Sequence, residues 1–199
     1  MDFLKFFRKK QPEFRPDPQA ATWLKTARMT RQQRLRLGKW LLYAAAILLA
    51  LVIQDVIMSR VRLFGATTDL AVTVILLIAV LEGTEVGSVF VLIASIVYYF
   101  TGTAPGAYCI GLLTFFGIGA ALLRQMYLHR SRGAIVLCAG LAQLGYELGL
   151  YGLGIFMGLT RWDRLGAFAL TGLLGLLVMI PLYPLIVKIG LIGGNTWKE

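Results

Sequence analysis

The chain has 199 residues, 58% of them apolar and only 15% charged, where an ordinary soluble domain carries about 25% charged residues. A core of this size cannot hide that many apolar side chains from water, so the composition excludes a soluble enzyme, a disordered chain and a disulfide-stapled secreted domain, and lipid is the expected second solvent. The formal charge is +10, and residues 1–39 hold eleven Lys and Arg against three acids, while the rest of the chain holds nine against seven.

A basic block directly before the first apolar run reads as a cytoplasmic anchor for anionic lipid. No recognition motif accompanies it, so nucleic acid is not an expected partner. Within this tail Phe3, Leu4, Phe6 and Phe7 alternate with Lys5, Arg8, Lys9 and Lys10, which suits a short interfacial segment. Pro12, Pro16 and Pro18 then break regularity, and residues 19–39 are expected either as a basic helix along the inner leaflet or as a solvated topogenic tail.

The first apolar run covers 40–58 and is long enough to cross a bilayer, with Gln54 and Asp55 in its outer third. Its charged leader is too long for a signal-peptide n-region and no small-x-small site follows, so it reads as a retained helix. Between Arg62 and Arg124 there is no Lys or Arg, and the stretch breaks at Glu82-Gly83-Thr84-Glu85 and at Thr101-Gly102-Thr103-Ala104-Pro105-Gly106. Gly102, Pro105 and Gly106 are turn chemistry. Three helices follow from those breaks, over about 68–82, 86–100 and 105–123. Thr68 or Asp69 suits the N-cap of the first, whose shortness predicts a place within the bundle or an interfacial lead-in. Residues 124–133 form a polar link, and two more helices are expected over about 134–158 and 165–188. Pro181 and Pro184 predict a kink or an early break in the last.

The expected fold is therefore all-α, a polytopic bundle of six transmembrane helices over 40–190, between the tail 1–39 and a short C-terminal tail 191–199. With the N-terminus inside, inner segments hold sixteen Lys and Arg and outer loops four (Arg60, Arg62, Arg161, Arg164). The positive-inside rule then makes both termini cytoplasmic.

No catalytic or metal constellation can be assembled, and no cofactor is expected. Cys109 and Cys138 lie far apart, His129 is the sole histidine, and no phosphate-binding loop exists among the 22 glycines. The glycines suit helix packing: Gly145/Gly149 and Gly154/Gly158, like Ala46/Ala50, have the small-xxx-small spacing. Gln143 and Glu147 share one face of the fifth helix, near Tyr146 and Tyr151. An intramembrane carboxylate is a functional candidate by default, and Glu147 is expected to hydrogen-bond a neighbouring helix or to meet a partner or a polar cavity. Glu82 and Glu85 read as a solvated pair at a helix end.

The order of turns and polar positions resembles the rod shape-determining protein MreD family. Its members typically begin with a helix ending in Leu-Gln, followed by a Leu-Phe-Gly-x-x-Pro-Asp-Leu loop. Here Ile53-Gln54 precedes Leu63-Phe64-Gly65-Ala66-Thr67-Thr68-Asp69-Leu70. Gly83 and Gly87 match a Gly-x-x-x-Gly stretch, residues 101–108 match a Ser-Gly-Ser-Pro-type turn, and 117–124 match a Gly-rich helix end closing in Leu-Leu-Arg. Thr68, Tyr98 and Ala121 replace a Pro, an Asp and a Gly of the family pattern. The resemblance covers about 40–190 and implies a non-enzymatic scaffold of the bacterial cell-elongation complex in the cytoplasmic membrane. It also implies partners: MreC, MreB, a class B transpeptidase and RodA. Gln54, Asp69, Gly102 and Gly106 carry over as structural or interface positions.

An alternative class is the substrate-binding subunit of an energy-coupling-factor vitamin transporter, with Ala46/Ala50 as its docking surface. That reading requires polar and aromatic groups converging on an outer pocket, which the short outer loops do not lead one to expect. A lipid-modifying enzyme would need paired acids or a histidine near one leaflet, for which Glu82/Glu85 is the only close pair.

Overall fold

The computed structural model describes residues 31–58, 60, 65–127 and 132–192. The interfacial reading of residues 1–30, the Leu63-Phe64 part of the loop motif, His129 and the last seven residues lie outside them. Six α-helices are present, and the described residues contain no strand: α1 (Arg31–Ile53), α2 (Leu70–Glu82), α3 (Thr84–Phe100), α4 (Tyr108–Tyr127), α5 (Arg132–Phe156) and α6 (Leu165–Ile192). A π-helical turn, Gln54–Met58, continues α1, and a 3-10 turn, Trp162–Arg164, leads into α6.

Four segments are long and apolar enough to cross a membrane: Arg31–Met58, Tyr108–Met126, Gly133–Phe156 and Trp162–Ile192. Their outer surfaces carry the apolar side chains that water would not tolerate. Leu41, Leu49, Phe115 and Phe156 are each more than three-fifths exposed, and an apolar belt of this extent marks a membrane protein.

The inside of the bundle is organised around α2. Every residue from Leu70 to Leu81 is buried, and α2 touches all five other helices. A helix apolar on every side belongs in a core. Its 13 residues span about 20 Å, less than the roughly 30 Å of bilayer hydrocarbon. Of the two expectations for its shortness, packing within the bundle is the outcome. Around it the other helices form a ring in the order α1, α6, α5, α4, α3, which is open between α3 and α1.

Helices successive along the chain run in alternate directions. Glu82 at the end of α2 meets Lys39 near the start of α1, Tyr98 at the end of α3 meets Asp69 before α2, and Gly190 at the end of α6 lies against Tyr43. We call the end at which α1 begins the near end and the opposite one the far end.

A helix sealed inside protein and lipid must have its terminal amides and carbonyls satisfied by side chains. At the far end Asp69, one of the two residues expected as N-cap, caps α2, with Oδ1 accepting from Val72 N at 3.2 Å. Gln54 Oε1 accepts from Ala71 N at 2.7 Å. At the near end the buried Arg124 donates through Nη1 to the Val80 carbonyl and, at 3.3 Å, to that of Leu81. Arg124 thus belongs to the last turn of α4 and not to a polar link, because the α2 carbonyls supply the partners that let a guanidinium be buried.

Several sequence expectations are corrected here. Glu82 is not solvated: Lys39 Nζ pairs with its Oε2 at 2.6 Å, both side chains being about nine-tenths buried, and Tyr43 donates to Oε1 at 2.8 Å. Glu85 alone remains exposed. Helix α6 continues through Pro181 and Pro184 without the early break, one of the two outcomes expected there; both prolines sit on its exposed side, where loss of a ladder bond leaves core packing intact. Residues 31–39 are helical and continuous with α1.

Glycine roles also divide. Gly145 and Gly149 do serve packing, since a Cβ at Gly145 would lie 2.5 Å from the Phe116 ring and one at Gly149 would lie 3.1 Å from Leu112. Gly154/Gly158 is no packing pair, because α5 ends at Phe156. Gly158 adopts φ +70°, Leu159 N donates to the Gly154 carbonyl at 2.8 Å and Gly158 N to that of Ile155 at 2.9 Å, which is a Schellman helix stop. Ala50 is buried and Ala46 half-buried on the inward side of α1.

A polar cavity at the far end

The polar residues marked out along the chain meet in one layer. Asp69 ends the loop before α2, Tyr98 closes α3, and Gln143 and Glu147 lie one turn apart on α5. The Tyr98 hydroxyl donates to Asp69 Oδ2 at 2.8 Å, so a side chain at the end of α3 holds the carboxylate of another element. The Thr73 hydroxyl lies 2.7 Å from the Asp69 carbonyl oxygen and 2.9 Å from Gln143 Oε1. Gln143 is fully buried, and Gly175 of α6 makes room for it, since a Cβ there would collide with the Gln143 amide. The Tyr146 hydroxyl, also buried, lies near the Cys109 thiol, Tyr98 and Asp69 and has no hydrogen-bond partner of ordinary geometry among the described residues.

Above this layer opens a cavity of about 520 Å³, lined among others by Gln54, Asp69, Tyr98, Glu147, Arg164 and Phe168. Asp55, Thr103 and Pro105 stand on the same wall. The 101–107 turn that closes its rim depends on Gly102 at φ +75° and on Gly106, where a Cβ would press the Tyr108 ring at 2.5 Å. Burial deepens inward: Arg164 is exposed at the mouth, Asp69 is intermediate, and Glu147 is 4% exposed. Glu147 makes no hydrogen bond or ion pair among the described residues; its charged neighbour is Asp69. The expectation that it bridges to another helix is therefore replaced by the cavity placement. A pocket of the kind that the short loops argued against is present at the far end, lined by helix ends and the π-helical turn together with residues of the 65–69 and 101–107 loops.

Among the described residues no group of three His, Cys, Asp or Glu is placed to hold a metal ion, and Cys109 and Cys138 are buried free thiols. Sequence reasoning named Gln54, Asp69, Gln143 and Glu147 but missed Thr73, Tyr98 as a partner of Asp69, and Arg164 as part of the same wall. Thr73 sits inside an unbroken apolar run, and that single hydroxyl is the one signal of it.

A second, apolar concavity of about 700 Å³ opens sideways where the ring is incomplete between α1 and α3. Ile47 and Ala94 form part of its floor, with Ala44, Leu48, Val89 and Ile93 along its edges. Its near end is closed by Trp40, Tyr43 and Phe90, with ring centroids 5.7 to 6.2 Å apart.

Fold and cavity together define a helical membrane protein with a polar cavity at one end and a lateral apolar groove. No family model, curated protein or solved structure matches the chain.

Proposed function

We propose that this protein is a non-enzymatic scaffold of the bacterial cell-elongation complex, resembling MreD. In this reading it crosses the cytoplasmic membrane six times with both termini inside. It binds the single-span MreC within the bilayer and helps couple MreB filaments to the class B transpeptidase and RodA. The observation that carries the reading is the lateral groove: it is apolar, faces lipid, and is bounded by two helices, so an added transmembrane helix would complete the ring around α2. Small side chains on its wall, Ala44 and Ala94, allow the close approach on which helix association in lipid depends. The motif order along 40–190 supplies the identity of the partner.

The test is co-purification in mild detergent from a rod-shaped host. MreC and cell-wall synthases should accompany the wild-type chain, and Ala94→Phe, which fills the groove floor, should lose MreC while the protein stays inserted and folded. Retention of MreC by Ala94→Phe would sink the groove as its site. The cavity favours the alternative class, a substrate-binding subunit of an energy-coupling-factor transporter; an ATPase pair with a scaffold subunit in the same purification would establish that reading instead.

A further inference from the structure

We infer that the far-end cavity is a binding site for a zwitterionic group in which a primary ammonium lies a few bonds from an anion, as in an aminoethyl phosphate. The most buried carboxylate on the cavity wall is Glu147, 4% exposed and without a hydrogen-bond partner among the described residues. A buried carboxylate in that condition is costly unless something donates to it. Asp69 faces the same space, and two carboxylates on one cavity repel unless a cation or proton comes between them. Asp69 already accepts from Val72 N and the Tyr98 hydroxyl, which fixes its position. Glu147 has no such donor, so its lone pairs are left to a ligand.

The ligand's charge pattern follows from depth. The inner carboxylates are Glu147 and Asp69, while the exposed rim carries both the Asp55 carboxylate and the Arg164 guanidinium, so the cationic end points inward and the anionic end meets Arg164, the one cationic side chain among the described residues that line the cavity. A primary ammonium carries three donors, matching carboxylate acceptors on two walls; a quaternary ammonium carries none. A hard metal cation would want a fuller cage of oxygens, and no cluster of three acidic or other ligating side chains is present among the described residues. The volume, about 520 Å³, lies within the range of roughly 300–1,000 Å³ usual for small-molecule sites. Two sources offer this chemistry: the headgroup of phosphatidylethanolamine entering from the leaflet, or a free zwitterion from solution. The inference goes beyond the scaffold reading and does not rest on it, since the cavity and the lateral groove share no lining residue.

The full chain in phosphatidylglycerol nanodiscs, titrated with phosphoethanolamine and with phosphocholine, tests the assignment. Saturable phosphoethanolamine binding is expected, with phosphocholine weaker by about tenfold, the scale of one lost charge-assisted hydrogen bond. Glu147→Gln should weaken binding by a similar factor while leaving thermal unfolding unchanged, because it breaks no bond within the protein. Ala167→Lys places an ammonium on the cavity wall and should abolish binding by occupying the site, which keeps the test open if the first variant folds poorly. Discs containing phosphatidylethanolamine should compete if the lipid is the source, and should leave binding unaltered if the free zwitterion is. Absence of phosphoethanolamine binding at millimolar concentration together with no preference for phosphatidylethanolamine over phosphatidylcholine, or equal binding by folded Glu147→Gln, overturns the assignment.

Discussion

Lys39 and Glu82 are a charged pair that the apolar bundle tolerates because each supplies the other's partner, at 2.6 Å, while Tyr43 takes the second carboxylate oxygen. Lys39 Nζ also lies 5.1 Å from the centre of the Trp40 ring, a cation–π distance. Removing one member of a buried pair strands the other and costs about 3 kcal/mol or more, whereas replacing both is close to neutral. Lys39→Met alone should therefore lower stability by about 3 kcal/mol. The triple change Lys39→Met, Tyr43→Phe, Glu82→Leu should recover most of it, and reversible unfolding in mixed micelles compares the two. Arg124 acts differently, by donating to the last carbonyls of α2. Arg124→Met should cost about 2 kcal/mol, the scale of hydrogen bonds to a charged group. Arg124→Lys should cost less, since it keeps the charge and loses the planar fork. The same unfolding measurement decides; equal losses for Met and Lys would remove the capping role.

Helix α2 depends on neighbours that come close to its backbone. Gly87 of α3 lies against the Ala79 carbonyl, and a Cβ there would collide with main chain that cannot step aside. Gly87→Ala should destabilise by about 2 kcal/mol through overpacking. Gly111 of α4 has nothing within 4 Å of such a Cβ, so Gly111→Ala should be neutral or stabilising by up to about 1 kcal/mol, since alanine is the better helix former. Thermal midpoints of the two variants in one detergent make the comparison, and similar shifts would contradict the close-packing account. The prolines of α6 teach a complementary lesson. A proline ends a helix when its missing bond matters to packing; Pro181 and Pro184 lie on the exposed side, and local adjustment within a membrane helix absorbs the loss.

Taken whole, the molecule is an inside-out arrangement only in its surface: leucines and phenylalanines face outward to lipid, while glutamine, threonine, tyrosine and carboxylates gather inward at the far end. Burial of polar groups is sustained there because most of them bond one another; the exceptions among the described residues are the Tyr146 hydroxyl and Glu147, which faces the cavity. The proposed topology places the near end in the cytoplasm, following the bias of sixteen Lys and Arg to four. Single cysteines introduced at Thr103 and Arg161 should then react with a membrane-impermeant maleimide in intact cells, and one at Ser131 should react only after permeabilisation. Labelling of position 131 from outside would reverse the orientation.

The existence and order of six helices, their turns at Gly83 and Gly102, and a cap at Thr68 or Asp69 were legible from residue order alone, because apolar runs and glycine–proline breaks act locally. Gln54, Asp69, Gln143 and Glu147 were legible too, since polar groups inside apolar runs are conspicuous. What the tertiary structure decided is which of them meet. That α2 is the central helix, that Arg124 reaches its carbonyls from 44 positions away, and that Lys39 pairs with Glu82 across 43 depend on how the helices pack around one another. Periodicity reports which face of a helix is apolar; it carries no information on the neighbour opposite when every face is apolar. In lipid that is the usual case, so pairing of helices rests on close backbone approach and a few long-range polar bonds, and these exist only once the bundle has closed.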